Sequence, residues 1–452
     1  MALSSKLIKK YNQPVPRYTS YPTVPLWDGQ LIPEVWENLV QQAFAQQGDK
    51  DGITLYIHLP FCESLCTYCG CTKRITKNHG VEDPYLEAVF KEWTKYLGLF
   101  NEVPKLAGIH LGGGTPTFFS PENLAKLISK IIRSAEVLPD HEFSFEGHPN
   151  NTTFEHLEVL AKLGFERVSY GIQDFDLTVQ RSIHRLQPFE KVKEATENAR
   201  KLGYKSVNFD LIYGLPHQTL ETLADTFARV AELKPDRIAF YSYAHLPSAF
   251  PAQKSFEPFL PSELEKRALY EFGKHTLLEL GYVEIGMDHF ALPQDPLCLA
   301  KKAGSLHRNF MGYTTSPSEM LIGLGASSIS DIGLGYAQNE KNIEAYQQSL
   351  HDNKLPVFKG HVKTCDDRTV GTLIMDLICQ GTADIPYLIW EKLPFESLNS
   401  LFEMEDEGLV LREGMTLSVT AAGMAVVRNI CAQFDLRMIA SREIKETFSK
   451  SI

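Results

Sequence analysis

Residues 54–73 read TLYIHLPFCESLCTYCGCTK and hold four of the chain's eight cysteines, namely Cys62, Cys66, Cys69 and Cys71. Just before them, from Ile53 to Leu59, apolar residues alternate with polar or small-tipped ones. This alternation predicts a β-strand, and Pro60 ends it. The cysteines therefore lie on a loop at the C-terminal end of a strand.

The spacing Cys62-x3-Cys66-x2-Cys69 suits a soft metal centre better than a hard one, because one loop delivers three thiolates. An iron–sulfur cube usually takes four cysteines, so three would leave one iron free to bind another ligand. A structural zinc site and unligated core cysteines are the alternatives. Zinc sites usually combine two separated Cys/His pairs, and no second pair is evident in the sequence. The cysteines outside this loop are scattered singly: Cys298, Cys365, Cys379 and Cys431.

Length and composition indicate a globular protein of two or three units, with 452 residues, 43% hydrophobic and 22% charged. The first residues lack the apolar core of a secretory signal, and no apolar run is long enough to span a membrane. We therefore expect a cytoplasmic protein with reduced cysteines and no membrane span. The net charge of −11 argues against nucleic-acid binding, and an acidic substrate would need a local basic pocket.

Strand-like runs recur between residues 53 and 292, each followed by a helix-like segment. This alternation predicts parallel strands joined by right-handed crossover helices, in an open or partial barrel rather than a closed eightfold one. Chemistry should gather at the carboxyl ends of the strands. The strand-like runs are 53–60, 106–112, 142–147, 167–173, 206–213, 237–243 and 283–290. The helix-like segments include 121–135, 153–163, 189–202, 219–233 and 262–280.

Three of these strand ends carry candidate ligand-binding residues. GGGTPT at residues 112–117 lacks side chains at three positions, which lets backbone amides approach a ligand. Glu146 ends an apolar run and needs a cation or a donor. Asp210 lies among apolar neighbours, where a ligand contact and a buried salt bridge are both open interpretations.

The two ends of the chain differ from this pattern. Residues 11–22, YNQPVPRYTSYP, contain three prolines and cannot form a helix, so we expect an extended arm over another surface. Residues 323–330 predict a flexible apolar loop. From residue 362 the pattern is mainly helical, with a strand pair near residues 407–414, which suggests a small winged-helix-like domain. It lacks a basic recognition helix and is predicted to be a lid or scaffold.

The cysteine loop, with Tyr68 just before Cys69, resembles the radical S-adenosylmethionine (SAM) superfamily. Two stretches outside the loop, PRYTSYP at 16–22 and HRNFMGYTT at 307–315, resemble the oxygen-independent coproporphyrinogen III oxidases. This resemblance extends from residue 11 to about residue 435. The resemblance implies an α/β fold: a partial (β/α) barrel of the radical SAM type with an N-terminal extended arm and a mainly helical C-terminal domain. The implied segments are an arm covering the active site (1–48), the barrel (49–295), a substrate-binding and connecting segment (296–361) and the helical domain (362–452).

The same resemblance assigns candidate residues. Cys62, Cys66 and Cys69 would hold a [4Fe–4S] cluster, whereas Cys71 is predicted not to be a ligand. Tyr56 and Glu146 are the catalytic candidates, and Tyr56 would touch either the adenosyl group or the substrate. The residues placed against two SAM molecules are Tyr56, Tyr68, Gly113, Gly114, Thr115, Glu146, Gln173, Arg185, Asp210, Ala244 and Ile329. The candidate contacts to substrate carboxylates are Arg17, His307 and Arg308.

One position departs from the family pattern. Related enzymes commonly carry an aspartate where this chain has His148, and we expect that histidine to be structural. Asp174, close to the predicted contact Gln173, is also expected to be structural.

The resemblance implies decarboxylation of two propionates of coproporphyrinogen III to vinyl groups, giving protoporphyrinogen IX through a 5′-deoxyadenosyl radical from SAM. A flavodoxin or ferredoxin would supply low-potential electrons, and a monomer is expected. An alternative is a haem-binding chaperone of the same superfamily, and another is a radical SAM enzyme with a different substrate, such as a methyltransferase. Chaperones are expected to lack the PRYTSYP arm, Cys71 and HRNF-x-GYTT, which this chain has.

Overall fold

The computed structural model describes residues 4–48, 50–441, 448 and 450. The chain divides into two compact units. The barrel unit comprises Gly29–Tyr282 and Ser316–His361, and the second unit comprises Met1–Asp28, Val283–Thr315 and Val362–Ile452. The predicted segments 1–48, 49–295 and 296–361 are each divided between the two units. The last part of the predicted helical domain, from residue 442, lies outside the described residues except for positions 448 and 450.

The barrel unit is built on one large sheet. Its strands are β1 (Ile53–Leu59), β2 (Lys105–Gly113), β3 (Glu136–Gly147), β4 (Phe165–Gln173), β5 (Ser206–Tyr213), β6 (Arg237–Ser242), β7 (Met320–Leu324), β8 (Ile329–Asp331), β9 (Gly335–Asn339) and β10 (Val357–Val362). They lie in the order β10-β9-β8-β7-β1-β2-β3-β4-β5-β6. Every neighbouring pair from β7 to β6 in this order is parallel, whereas β8 pairs with β7 and β9 in antiparallel fashion. A pair of short strands, Phe61–Cys62 and Arg74–Ile75, lies in the cysteine loop.

Helices connect the parallel strands, as the alternating pattern predicts. Pro121–Arg133 shows the local reason: Ser120 caps its N-terminus, and apolar residues at helical spacing face inward from Leu124 to Ile131. The α-helices of this unit are Pro33–Ala43, Glu82–Leu97, Pro121–Arg133, Phe154–Lys162, Leu177–Ser182, Phe189–Lys201, Leu220–Leu233, Glu263–Glu279 and Ile343–His351. The π-helix Phe44–Gly48 and the 3-10 helices His79–Val81, Pro116–Phe118 and Pro251–Phe259 complete it.

The second unit packs helices around its own apolar core, in which Ile374, Leu377 and Ile430 are almost fully buried. Its helices are Ser5–Tyr11, Val24–Leu26, Pro296–Ala303, Cys365–Cys379, Tyr387–Trp390, Phe395–Asp406, Gly423–Val426, Val427–Ala432 and Leu436–Ala440. Its strands are Val283–Gly286, His289–Ala291, His307–Asn309, Gly312–Thr314, Thr382–Asp384, Val410–Glu413 and Thr416–Val419. The last three form an antiparallel sheet, in which the strand pair predicted near residues 407–414 is Val410–Glu413 with Thr416–Val419.

Apart from Tyr11, which ends the helix Ser5–Tyr11, the arm at residues 11–22 contains no helix, as its prolines predict. It is bound to the C-terminal helices of its own unit. The hydroxyl of Tyr18 donates to Asp435 Oδ2 at 3.0 Å, and Asn429 Nδ2 donates to the carbonyl of Tyr11 at 3.0 Å. Polar side chains from the C-terminal helices therefore bind the extended arm through its carbonyl and hydroxyl groups.

Two predictions about individual elements are wrong. The run at 283–290 is not a parallel strand but an antiparallel hairpin, Val283–Gly286 with His289–Ala291. The seventh parallel strand is Met320–Leu324, and residues 323–330 form the end of that strand, a turn and a further strand instead of a flexible loop. The glycines there serve close packing, because a Cβ on Gly323 would lie 2.5 Å from the carbonyl oxygen of Ile329. None of the described helices combines the length and apolar character that a membrane crossing requires.

Candidate active site

A cavity of about 600 Å³ opens at the carboxyl ends of the central strands of the barrel unit. This is the edge at which parallel strands gather ligand-binding residues. Most of the site residues predicted within this unit line the cavity: Cys62, Cys66, Tyr68, Cys69, Gly113, Gly114, Thr115, Glu146, Gln173, Arg185 and Asp210.

Backbone hydrogen bonds hold the cysteine loop in place. The amide of Thr76 donates to the carbonyl of Cys62 at 2.9 Å, and the amide of Cys69 donates to that of Cys66 at 3.1 Å. His58, on β1, lies 2.9 Å from the carbonyl of Thr72 through Nε2. The loop is therefore fixed to the strand that precedes it.

Two of the three cysteine sulfurs accept a hydrogen bond from outside the loop. Thr115 Oγ1 donates to Cys62 Sγ, and Arg185 Nη1 donates to Cys66 Sγ, each at 3.4 Å. The third sulfur, that of Cys69, interacts with Cys71. This hydrogen bond is the main reason why the pKa of Cys69 falls to about 6. Burial raises the pKa of Cys62, and the hydrogen bond from Thr115 opposes that rise.

The glycine run lies against the cysteine loop itself. Gly113 has φ +116°, and a Cβ there would lie 2.7 Å from the His58 ring. A Cβ on Gly114 would lie 2.7 Å from the backbone of Pro60. Both glycines line the cavity, but it is packing between β1 and β2 that excludes a side chain at these positions.

Glu146 ends β3 and finds the donors that its position demands. Its Oε2 accepts from the amide of Gly113 at 3.3 Å, and its Oε1 lies 3.5 Å from His110 Nε2. A Cβ on Gly112 would lie 2.9 Å from the Tyr56 ring and 3.1 Å from Glu146 Oε1. The missing side chain therefore lets Tyr56 and Glu146 approach each other.

Asp210 of β5 lies on the far side of β4 from Glu146, within a hydrogen-bonded group, and the part of the cavity lined by β4 and β5 is here called the opposite wall. Its Oδ2 accepts from Ser169 Oγ at 3.0 Å, and its Oδ1 accepts from Asn208 Nδ2 at 2.9 Å. Burial raises the pKa of Asp210 to about 6, and the charge of Glu146 adds to the rise. Neutral donors satisfy this carboxylate, in place of the salt bridge that was the alternative interpretation.

Arg185 and His148 line the cavity beside this wall. Arg185 donates to the carbonyl of Gly171 through Nε at 3.1 Å and through Nη2 at 2.5 Å. His148 Nδ1 accepts from the amide of Asn150 at 3.2 Å. Burial lowers the pKa of His148 to about 3, and the charge of Arg185 lowers it further. The histidine expected to be structural is thus a neutral side chain in the cavity wall.

Three predicted residues of the barrel unit are not among those lining the cavity. Tyr56 lies next to Glu146, which lines the cavity, and its hydroxyl is 3.0 Å from His58 Nδ1. Ala244 is exposed, and its carbonyl shares the donor Gln253 Nε2 with that of Tyr68, at 3.4 Å and 3.1 Å. Ile329 begins β8 after the turn described above.

The candidate substrate contacts all belong to the second unit. Arg17 forms an ion pair with Asp288. His307 is exposed in the first strand of the hairpin that ends at Thr314. The guanidinium carbon of Arg308 lies 4.6 Å from the centre of the Tyr313 ring. Arg308 Nε and Nη1 are buried and have no hydrogen-bond partner among the described residues.

Comparison with known proteins agrees with this geometry. The Radical SAM superfamily profile matches residues 56–230. The oxygen-independent coproporphyrinogen III oxidase of Synechocystis sp. is 37% identical, with 99% of this chain and 98% of that protein covered. Its Escherichia coli counterpart is 39% identical over 95% of this chain and 94% of its own. The solved structure of the E. coli coproporphyrinogen III oxidase HemN, a radical SAM enzyme, superposes with a TM-score of 0.88 at 37% identity, covering 96% of this chain and 99% of that one.

The chain belongs to the oxygen-independent coproporphyrinogen III oxidase family. The predicted family and fold class are therefore confirmed. As a radical SAM enzyme, this oxidase family member uses a [4Fe–4S] cluster and SAM as cofactors, which confirms those two predictions as well.

The donor set fits such a cluster. Among the described residues, no three His, Cys, Asp or Glu side chains converge to hold a single metal ion. A [4Fe–4S] cube does not require this, because each thiolate binds a different iron. A loop with Cys62, Cys66 and Cys69 around one cavity suits a cube better than the zinc alternative.

Sequence reasoning missed several residues of this oxidase-family site. Lys73, Lys77, Ser169 and His184 also line the cavity. Lys73 Nζ donates to the carbonyl of Cys69 at 2.9 Å. A signal was available for Ser169: in β3, β4 and β5 polar or small residues recur at every second position, so they share one face of the sheet. No comparable periodicity marks the loop residues.

Proposed function

We propose that this enzyme decarboxylates two propionate side chains of coproporphyrinogen III to vinyl groups, giving protoporphyrinogen IX. The observation that carries the proposal is the cavity itself. It brings together the cysteine loop, the glycine run and the acids of β3 and β5 in a chain that aligns with named oxidases over nearly its whole length.

The cluster and SAM, when bound, supply the hydrogen-atom abstraction that starts the loss of carbon dioxide. We assign Cys62, Cys66 and Cys69 as the iron ligands and leave Cys71 outside the set. Support comes from the hydrogen bonds that reach each of the three sulfurs, from Thr115, Arg185 and Cys71.

One SAM molecule would lie on the β2 and β3 side of the cavity. Gly113, Gly114 and Thr115 would meet its amino acid part, Ile329 would touch it, and Glu146 would accept from it. Glu146 has an exposed side-chain fraction of 45% and accepts from the amide of Gly113, so it retains acceptor capacity for a ligand. Tyr56 beside it would touch the adenosyl group or the substrate, and we keep both residues as catalytic candidates.

A second SAM molecule would lie against the opposite wall. Asp210 would accept from it, Arg185 would meet its carboxylate, and Gln173 and Ala244 would complete the contact. The electrostatics support a cationic ligand here, since the charge of Glu146 contributes to the raised pKa of Asp210 and a sulfonium would offset that repulsion. Tyr68 would offer its ring to SAM.

The substrate carries four carboxylates, whereas the cavity of the barrel unit is not strongly basic. Lys73, Lys77 and Arg185 line it together with the acids Glu63, Glu146 and Asp210. The substrate carboxylates therefore need cations from outside this cavity, and we assign Arg17, His307 and Arg308. The two buried unpartnered donors of Arg308 support this role, because such groups are costly unless a ligand satisfies them.

Location and partners follow from the reaction class. We propose a cytoplasmic monomer that receives single electrons from a low-potential flavodoxin or ferredoxin. The arm at 1–48 would cover the active site, and 296–361 would contribute to substrate binding.

An anaerobic assay of the reconstituted protein with coproporphyrinogen III, SAM and a strong reductant tests the proposal. We expect vinyl products and one 5′-deoxyadenosine per vinyl group, both measured by chromatography. SAM cleavage without decarboxylation would move the search to another substrate. Stable haem binding without turnover would indicate the chaperone, which no observation favours at present.

A further inference from the structure

Two side chains assigned above to SAM also contact the cysteine sulfurs. Thr115 Oγ1 lies 3.4 Å from Cys62 Sγ, and Arg185 Nη1 lies 3.4 Å from Cys66 Sγ. Thr115 follows β2 and Arg185 follows a short helix after β4, so the two donors reach the loop from separate elements of the fold.

Arg185 is held so that one nitrogen is left for the sulfur. Its Nε and Nη2 both donate to the carbonyl of Gly171, at 3.1 Å and 2.5 Å. A Cβ on Gly171 would lie 3.0 Å from Nη2, so the glycine leaves room for the guanidinium. This geometry uses the planar fork of arginine, which lysine lacks.

The backbone fixes Thr115 on both sides. Its amide donates to the carbonyl of Phe61 at 3.0 Å, and its carbonyl accepts from the amide of Phe118 at 2.8 Å. Since Phe61 immediately precedes Cys62, the hydroxyl is tied to the same strand as the sulfur that it contacts. A backbone that is bonded at both groups cannot move away without breaking one of these bonds.

We propose that Thr115 and Arg185 set the reduction potential of the cluster by donating hydrogen bonds to Cys62 and Cys66. Reduction adds one electron to the cluster and increases the negative charge on its sulfurs. Donors to those sulfurs stabilise the reduced state and raise the potential. The charged Arg185 should have a larger effect than the neutral Thr115. The inference rests on the proposed function, because it needs these cysteines as ligands.

The test is a redox titration of the reconstituted protein without SAM, in which dithionite supplies the electron and electron paramagnetic resonance measures the reduced cluster. We expect Arg185→Gln to lower the midpoint potential more than Thr115→Val does. Thr115→Ser keeps the hydroxyl and should match the wild type. Arg185→Lys, which keeps the charge but not the fork, should give an intermediate value.

Two kinds of failure are distinguishable. If wild-type protein takes up no cluster, the proposed function fails. If all variants hold iron as the wild type does and their potentials are equal, only this inference is overturned, and the two residues are SAM contacts alone. If Arg185→Gln does not incorporate iron, the midpoint potentials of Thr115→Val and Thr115→Ser decide the question. These two variants differ in whether the hydroxyl is present.

Discussion

The cysteine loop and the opposite wall of the cavity are specified by the sequence in different ways. The cysteine loop follows its strand directly, and its backbone bonds, such as Thr76 to Cys62, join residues close in sequence. The opposite wall depends on Ser169 donating to Asp210, 41 positions away on a neighbouring strand. The loop can therefore be identified from spacing alone, whereas the opposite wall exists only once β4 and β5 pair in register.

The largest effect should come from the cysteine loop. Cys62→Ala removes an iron ligand, and we expect loss of the cluster absorbance and of SAM cleavage by at least a factor of about 10³. Iron content and 5′-deoxyadenosine formation measure the two effects. Cys71→Ala is the matched control, and its iron content should equal that of the wild type. Loss of iron in Cys71→Ala would show that the loop uses a fourth thiolate.

The glycine run tests how tightly that loop is packed. Gly113→Ala requires a Cβ at 2.7 Å from the His58 ring and a strained φ of +116°, so we expect unfolding free energy to fall by about 2–4 kcal/mol. Gly203→Ala is the control, because Gly203 also has a positive φ, +84°, but open space around it. It should lose only about 1 kcal/mol in chemical denaturation, and equal losses would rule out the steric explanation.

Sequence reasoning reached the cysteines, Glu146 and Asp210 because each is a conspicuous residue at a strand end. It failed where the decisive contact is distant in sequence. Met320–Leu324 pairs with β1 across more than two hundred positions, and it lies outside the strand–helix alternation of residues 53–292. Lys77 and His184 line the cavity through loop conformations that have no periodicity. Alternation and spacing are local signals, so they cannot specify such contacts.

A buried carboxylate elsewhere in the barrel unit also depends on contacts distant in sequence. Glu92 is fully buried and accepts from Tyr346, Asn339 and the amide of Gly325, at 2.7, 2.6 and 2.8 Å. Burial raises the pKa of Glu92 from 4.5 to about 7. The native state thus binds this proton more tightly than the unfolded chain does. The free energy of unfolding should fall as pH rises from about 4.5 to about 7, by up to about 3 kcal/mol.

Glu92→Gln removes this titration. The difference in unfolding free energy between wild type and Glu92→Gln, measured by denaturant at several pH values, should slope between pH 4.5 and 7 and be constant above. Other titrating groups are shared by both proteins and cancel in that difference. A difference that stays constant across the whole range would mean that Glu92 is ionised throughout and that its three donors outweigh its burial.

The smallest expected effect is a pH dependence of SAM affinity that comes from the opposite wall. With its pKa at about 6, Asp210 loses its charge below that pH, so wild-type affinity for SAM should decline there. Asp210→Asn should bind SAM about tenfold more weakly above pH 6 and show no such decline. Ser169→Ala removes a donor that stabilises the charged form, so its decline should begin at a higher pH than in wild type. Calorimetric titration with SAM over pH 5 to about 8 measures all three. If Ser169→Ala and wild type declined together, the hydrogen bond between β4 and β5 would not control this carboxylate, and its burial alone would.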